Sequence, residues 1–175
     1  MKRARNTIIC SAAALLLFLP SCSDENLLFD TPFISVEALR SDHEGTINSD
    51  QQFIGEYMVY INGYTFTEEI VVEYTITVGN GLVAGRDYEI ITKGENLTFY
   101  PNIFDMPIRI RWLRTAIHEN PEDLSSPIIS DSLDESKDNT ITIELTGSNT
   151  NYLLGYPGPD RNKKSVVIKK IRAID

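Results

Sequence analysis

The stretch IVVEYTITV, residues 70–78, decides the fold class of this chain. Its even-numbered positions are all aliphatic or aromatic, whereas Glu73, Thr75 and Thr77 lie on the other side of an extended chain. Side chains alternate between the two faces of a β-strand, so this pattern predicts a strand with one buried face. Gly79-Asn80-Gly81 follows directly and predicts the turn that ends it.

The rest of the chain after residue 26 repeats this kind of pattern. Apolar residues nowhere recur at the helical period of about 3.6 over the length of a helix. Short segments rich in Val, Ile, Thr, Tyr and Phe recur instead, separated by Gly, Asn, Pro and Asp clusters. The other predicted strands are 33–37, 53–61, 87–91, 96–100, 107–115, 140–146 and 164–171. Seven or eight short strands, each with one buried face, predict an all-β antiparallel sandwich with Trp112 in its core.

Length and composition limit the classes of protein that remain. At 175 residues the chain has room for one domain with a hydrophobic core. A hydrophobic content of 42% with 23% charged residues is typical of a globular protein and excludes wholesale disorder. The formal net charge of -9 argues against a nucleic-acid partner, because phosphate binding needs a basic surface.

The N-terminal residues 1–21 have the pattern of a secretory signal peptide. Lys2, Arg3 and Arg5 form a basic head, and an uncharged apolar run over 8–20 follows. That run is shorter than the roughly 20 residues of a membrane-spanning helix. Leu19-Pro20-Ser21-Cys22 then looks like a bacterial lipobox, in which the cysteine receives the lipid on its sulfur and becomes the first residue of the mature protein. We therefore predict lipidation of Cys22.

Cleavage before Cys22 has consequences for charge and redox chemistry. Residues 1–21 carry three basic and no acidic residues, so their loss takes the net charge from -9 to -12. Cys10 lies in the discarded segment, and the acylated Cys22 cannot form an intramolecular disulfide. The acyl chains anchor the protein to a membrane. Residues 22–31 are predicted to form an acidic tether, and residues 32–175 the sandwich domain.

The sequence Ser23-Asp24-Glu25-Asn26 bears on the location of the mature protein. It resembles the short acidic export signal found after the lipidated cysteine in surface lipoproteins of Bacteroidota, although a plain solvated linker is the alternative. We expect a lipid anchor in the outer membrane, facing the cell surface or the periplasm.

The turn Ala84-Gly85-Arg86-Asp87-Tyr88 carries a family resemblance. Leu97-Thr98-Phe99-Tyr100-Pro101 follows it, and Ile108-Arg109-Ile110 lies on a further alternating strand. Together they resemble the Calx-beta family, which typically shows an Ala-Gly-x-Asp-Tyr turn and a Leu-Thr-Phe-x-Pro strand end. The resemblance covers about residues 33–171, and 154–159 also resembles the ends of small Bacteroidota envelope lipoproteins. It implies an extracellular immunoglobulin-like sandwich that binds calcium in some members.

The resemblance also implies which residues would hold calcium. Asp87 and Glu37 stand at or near two positions that contribute in the calcium-binding members. A third source, an acidic cluster before the penultimate strand, differs here, because the family's glutamates are absent. Asp134, Glu135 and Asp138 are close enough in sequence to substitute. The alternative for Asp87 is a structural turn carboxylate that accepts backbone N–H bonds.

The acidic insertion 116–138 is the most individual part of the sequence. It carries seven carboxylates against the lone cation Lys137, and two prolines interrupt any helix. Such a segment is expected to be a solvated, extended loop, with a partner-binding loop or a cation site as alternatives. His43 and His118 are expected to be exposed polar residues, because zinc would need several His or Cys ligands at set spacing.

The last loop carries Tyr152 and Tyr156 next to a Pro-Gly-Pro turn. Binding modules often place contacts at this end of a sandwich, so a glycan contact is one interpretation of these rings. Packing over the end of the core is the other.

These observations favour a non-catalytic envelope lipoprotein that presents an immunoglobulin-like module for binding or adhesion. The sequence shows no nucleophile elbow and no phosphate-binding loop, so we expect neither an enzyme nor a cofactor other than the possible calcium. Its partner would be a protein or a glycan. The alternatives are a structural or assembly subunit of an outer-membrane complex and a calcium-binding module.

Overall fold

The computed structural model describes residues 31–38 and 45–173. Within these ranges there are twelve β-strands and no helix. They are β1 Phe33–Ala38, β2 Thr46–Asn48, β3 Phe53–Asn62, β4 Ile70–Val78, β5 Tyr88–Ile90, β6 Asn96–Phe99, β7 Asp105–Trp112, β8 Ala116–His118, β9 Ile128–Asp131, β10 Thr140–Ser148, β11 Leu153–Leu154 and β12 Ser165–Ile171. Accordingly, this described part of the chain offers no helix with the length and apolarity to cross a bilayer.

The strands form two five-stranded sheets and one separate hairpin. The first sheet has the order β11-β1-β3-β7-β5 and the second β2-β12-β10-β4-β6, while β8 pairs with β9. Neighbours are antiparallel except for the pairs β1–β11 and β12–β2. The orders β1-β3-β7 and β12-β10-β4 correspond to strands A-B-E and G-F-C of an immunoglobulin-type sandwich. The predicted fold class, an all-β immunoglobulin-like sandwich, is confirmed.

The hydrophobic core lies between the two sheets. Trp112 from β7, Phe99 from β6 and Ile143 from β10 are completely buried. The indole Nε1–H of Trp112 donates a hydrogen bond of 2.9 Å to the Tyr57 hydroxyl, so the polar tip of each ring is satisfied inside the core. The core cluster runs from Ile34 to Ile168 and lies entirely within the described residues.

All eight predicted strands are present, and Ile70–Val78 has the predicted bounds. The strand predicted at 107–115 begins earlier and ends at Trp112, because the chain turns away there and Arg114 donates to the Asp50 carbonyl at 2.7 Å. Four strands were not predicted: β2, β8, β9 and β11. Each has two to four residues, which is too short for an alternating pattern to be recognised.

The insertion 116–138 differs from the extended loop that its charge predicts. Ala116 pairs with Asp131 and Ile117 with Ser130, and the register shifts at a bulge before His118 pairs with Ile128. We call residues 116–131 the acidic hairpin. The strands form because short apolar stretches flank the polar turn, a signal that the surrounding carboxylates obscure.

The predicted signal segment 1–21, the lipidation of Cys22 and the tether up to residue 30 lie outside the described residues. They stay predictions from the sequence.

Candidate functional site

The turn at Asp87 holds its carboxylate in a fully buried position. Oδ2 accepts hydrogen bonds from the Val83 N–H at 2.7 Å and from Arg86 Nη2 at 2.6 Å. The main chain turns tightly here, because Asp87 N–H donates to the Val83 carbonyl at 2.9 Å and Gly85 has a positive φ of 79°. These contacts match the structural interpretation of Asp87, a turn carboxylate that binds backbone N–H groups.

Lys170 on β12 is a further charged residue that contacts this turn, and the sequence did not predict it. Its side chain is completely buried, and Nζ donates to the carbonyls of Leu113 at 2.7 Å and Asp87 at 3.3 Å. Nζ also lies 3.6 Å from Asp87 Oδ1, which has no hydrogen bond of its own. Burial lowers the pKa of Lys170, while the charge of Asp87 opposes this shift. Lys170 thus places its amino group beside the buried carboxylate.

A simple pattern could have found Lys170. On β12 the even-numbered residues face the core, and Lys170 is in phase with the buried Ile168. A lysine on the inner face of a strand needs a buried partner.

Glu37 lies far from Asp87. Glu37 on β1 is opposite Met58 of β3. Asp87 precedes Tyr88, which is opposite Trp112 of β7. Trp112 in turn is opposite Phe53 of β3. Met58 and Phe53 are five positions apart on β3, which corresponds to about 17 Å along a strand. The structure therefore does not bring Glu37 and Asp87 to one ion.

The carboxylates of Asp134 and Asp138 accept hydrogen bonds within their own local turns. Asp134 accepts hydrogen bonds from the N–H and hydroxyl of Ser136 at 3.0 and 2.6 Å, which lowers its pKa. Asp138 accepts in the same way from Thr140 at 3.1 and 2.7 Å, and Glu135 is exposed. Within the described residues, no three His, Cys, Asp or Glu side chains are grouped so that they could hold a metal ion.

The acidic hairpin is attached to the body of the domain by two partly buried contacts. The first joins Ser49, at the end of β2, to Asp131 of β9 through a short hydrogen bond from the hydroxyl to Oδ2. Ser49 is fully buried, and its hydroxyl oxygen also accepts the N–H of Ala173 at 2.8 Å. Asp131 Oδ1 accepts the N–H of Leu133 at 2.9 Å, so both its carboxylate oxygens have partners.

The second contact involves His118, which is buried rather than exposed as the sequence predicted. Its Nε2 lies 2.6 Å from Asp50 Oδ1 and its Nδ1 lies 2.7 Å from the Ser126 carbonyl oxygen. Both partners are acceptors, so both ring nitrogens donate, which only the protonated imidazolium can do. The hydrogen bond to Asp50 and that to Ser126 raise the pKa of His118. Because both ring nitrogens donate hydrogen bonds within the fold, neither is free to accept a proton from another side chain.

The outer surface of the acidic hairpin combines aliphatic and acidic side chains. Ile117 is 53% exposed, Leu124 48% and Ile129 64%. Glu119, Glu122 and Asp123 are exposed around them. Such a surface suits a partner that offers both apolar and basic groups.

The two loop tyrosines pack against the end of the domain. Tyr156 meets Phe33 edge to face with ring centroids 5.3 Å apart, and its hydroxyl donates to Glu37 at 2.5 Å. The bond to Glu37, together with desolvation, raises the pKa of Tyr156 to about 12. Tyr152 is partly buried against the core. Tyr152 therefore follows the packing alternative, whereas Tyr156 contacts Phe33 and stays 40% exposed.

Comparison with known proteins found a match among solved structures. No protein-family model and no curated protein matches the chain. The chain is similar to the crystal structure of CBD12 from CALX1.2, a Calx-beta domain structure, with 15% sequence identity and a TM-score of 0.46. The match covers 78% of this chain and 43% of that one, so the chain spans less than half the length of that structure. The fold assignment rests on the strand order described above.

Proposed function

We propose that this chain is an exported, lipid-anchored protein that performs no catalysis and binds a partner protein through the acidic hairpin. The proposal rests on how that hairpin is attached to the domain and on which side chains it exposes. Partly buried contacts of Asp131 and His118 attach it to the domain, yet it displays three aliphatic side chains to solvent. A loop that served only as a solvated connection would need neither feature.

The chemistry of the hairpin indicates the class of partner. Its carboxylates favour a basic surface, and Ile117 and Ile129 favour apolar groups within that surface. A protein partner supplies both, whereas most glycans carry no cationic group to match the carboxylates.

A soluble form of residues 23–175 allows the binding proposal to be tested. It omits the signal segment and Cys22, and the core between Ile34 and Ile168 lies wholly within it. We expect a screen against panels of envelope proteins and glycans to yield a protein that binds less tightly as salt rises. The double variant Ile117→Ser/Ile129→Ser should abolish this binding.

Val167→Ser provides the matched control for the hairpin variant. Val167 is 52% exposed on β12, so its substitution removes exposed apolar surface away from the hairpin and controls for each single Ile→Ser change. Equal binding by the wild type and the hairpin variant would contradict the proposal, as would a screen that yields only glycans.

The lipid anchor is supported by the lipobox sequence and has its own test. In a bacterial host fed with labelled palmitate, we expect the full chain to incorporate label and Cys22→Ala to lose it. Cys10→Ala is the matched control and should keep the label, because Cys10 belongs to the cleaved segment. An unlabelled wild type would contradict the anchor and, with it, the envelope location.

A further inference from the structure

Strand β4 has an unpaired edge along its second half. Strand β6 pairs with Ile70–Glu73 of β4, and the last bond on this side joins the Tyr74 N–H to the Glu95 carbonyl at 2.9 Å. Backbone groups of alternate residues point to the same side of a strand, so those of Ile76 and Val78 follow Tyr74 to this edge. Within the described residues no strand pairs with this part of the edge. Two N–H donors and two carbonyl acceptors are therefore available there.

The unpaired segment Thr75–Val78 lacks the usual protection of a strand edge. Natural edges carry charges, prolines or bulges that prevent pairing with another chain. This segment contains no charge and no proline, and only Thr75 and Thr77 point outward. A groove lined by Ile76 and Ile90 runs beside it, and the nearest charges there are Lys93 and Glu95 of the neighbouring segment. The edge is open to an added strand.

We propose that a second copy of this chain pairs with this edge, β4 against β4 in antiparallel orientation, with Thr77 opposite Thr77 of the partner. In this register Ile76 of each copy is opposite Val78 of the other. Both pairs are of the hydrogen-bonded type, so four bonds form and all the available groups of both copies are used. No other residue is needed to complete the ladder.

The two ends of the segment select this register. Glu95 already occupies the position opposite Tyr74, so a partner strand centred on Ile76 would place its Val78 where Glu95 lies. Strand β4 ends at Val78, and a turn follows in which the Leu82 N–H donates to the Gly79 carbonyl at 3.3 Å. The register centred on Thr77 fits between these limits. It is also isologous, as a two-fold dimer requires.

Side-chain pairing favours a second copy as the occupant. Thr77 meets Thr77 at a non-hydrogen-bonded position, where side chains are closest and threonine pairs are favourable. Thr75 is opposite Gly79, so no two charged groups face each other in a chain with a net charge of -9. The short ladder predicts a weak dimer rather than an obligate one.

Cysteine cross-linking tests the register directly in residues 23–175, which contain no native cysteine. Thr77→Cys places two thiols at a non-hydrogen-bonded pair, within the Cα spacing of a disulfide. We expect most of this variant to form a covalent dimer under mild oxidation. Thr75→Cys is the matched control and should stay monomeric, because its two copies would lie about 14 Å apart.

Charge provides a second test that needs no cross-link. Thr77→Lys puts two like charges opposite each other, so we expect the dimer seen by analytical ultracentrifugation at high concentration to be lost. Thr75→Lys should retain it, and circular dichroism should show both variants folded. A wild type that stays monomeric at every concentration would overturn the proposal. Equal cross-linking at positions 75 and 77, or pairing of the edge with a foreign peptide alone, would also overturn it.

Discussion

Replacing Lys170 with methionine tests whether this residue is the cation that balances Asp87. Methionine keeps most of the buried volume but removes the ammonium group. The Asp87 carboxylate then keeps the Val83 N–H, but its remaining cation is Arg86, which is partly exposed. The Leu113 carbonyl also loses its 2.7 Å donor. Removing one partner of a buried ion pair typically costs about 3–5 kcal/mol. In a chain of this size that corresponds to a fall in Tm of roughly 6–20 °C.

The assay is urea and thermal unfolding of residues 23–175, followed by circular dichroism. Lys169→Met is the matched control, because Lys169 is the adjacent residue of β12 and its side chain is exposed. We expect this surface change to alter the free energy of unfolding by less than about 0.5 kcal/mol. The contrast between the two variants isolates the effect of burial.

A double-mutant cycle measures the coupling between the two charges. Asp87→Asn alone leaves Lys170 buried without its counter-charge, whereas Asp87→Asn with Lys170→Met removes both charges together. The double variant should therefore lose less than the sum of the single variants, with a coupling energy of about 1–3 kcal/mol. Additive single variants, or Lys170→Met as stable as Lys169→Met, would refute the reasoning.

Three further predictions follow from the contacts described above. Because the pKa of His118 is raised in the folded state, its protonated form stabilises the fold. This stabilisation is complete below pH 6.5 and is lost as the pH rises through the pKa of the folded state. An NMR titration in which the imidazole pKa is unshifted would contradict this. Gly55→Ala should destabilise the domain by about 1–3 kcal/mol in urea unfolding, because its Cβ would lie 3.1 Å from Trp112 Nε1. Millimolar calcium should leave Tm unchanged, because positive charge already faces Asp87; a Tm that rises with calcium would show binding to the folded chain.

The strands that the sequence predicted are those long enough for buried and exposed residues to alternate several times. Along β4 five apolar inward positions alternate with outward ones, of which three are polar, so the period is clear and both ends are correct. Strand β8 has three residues, and two of them, Ala116 and His118, are buried although one is polar. A buried histidine looks like a surface residue in sequence, because the acceptors at Asp50 and Ser126 come from other turns.

The candidate sites show the same dependence on residues that are distant in sequence. Asp87 could be identified from its local turn motif, but its partner Lys170 lies 83 positions further along the chain. Likewise, the structure alone shows that β6 covers only half of β4. Local patterns therefore predicted elements and turns, while the pairing of charges and the open edge depend on how the sheets assemble.

The buried lysine also bears on what the family resemblance can imply for this chain. A buried carboxylate needs positive charge nearby, and a calcium ion can supply it only while calcium is bound. Lys170 is covalently part of the chain, so it balances Asp87 at every calcium concentration. A turn built in this way is expected to hold one conformation permanently and to carry no calcium signal. Recognition is then better sought on the β4 edge and on the acidic hairpin, which lies outside the motifs that carry the resemblance.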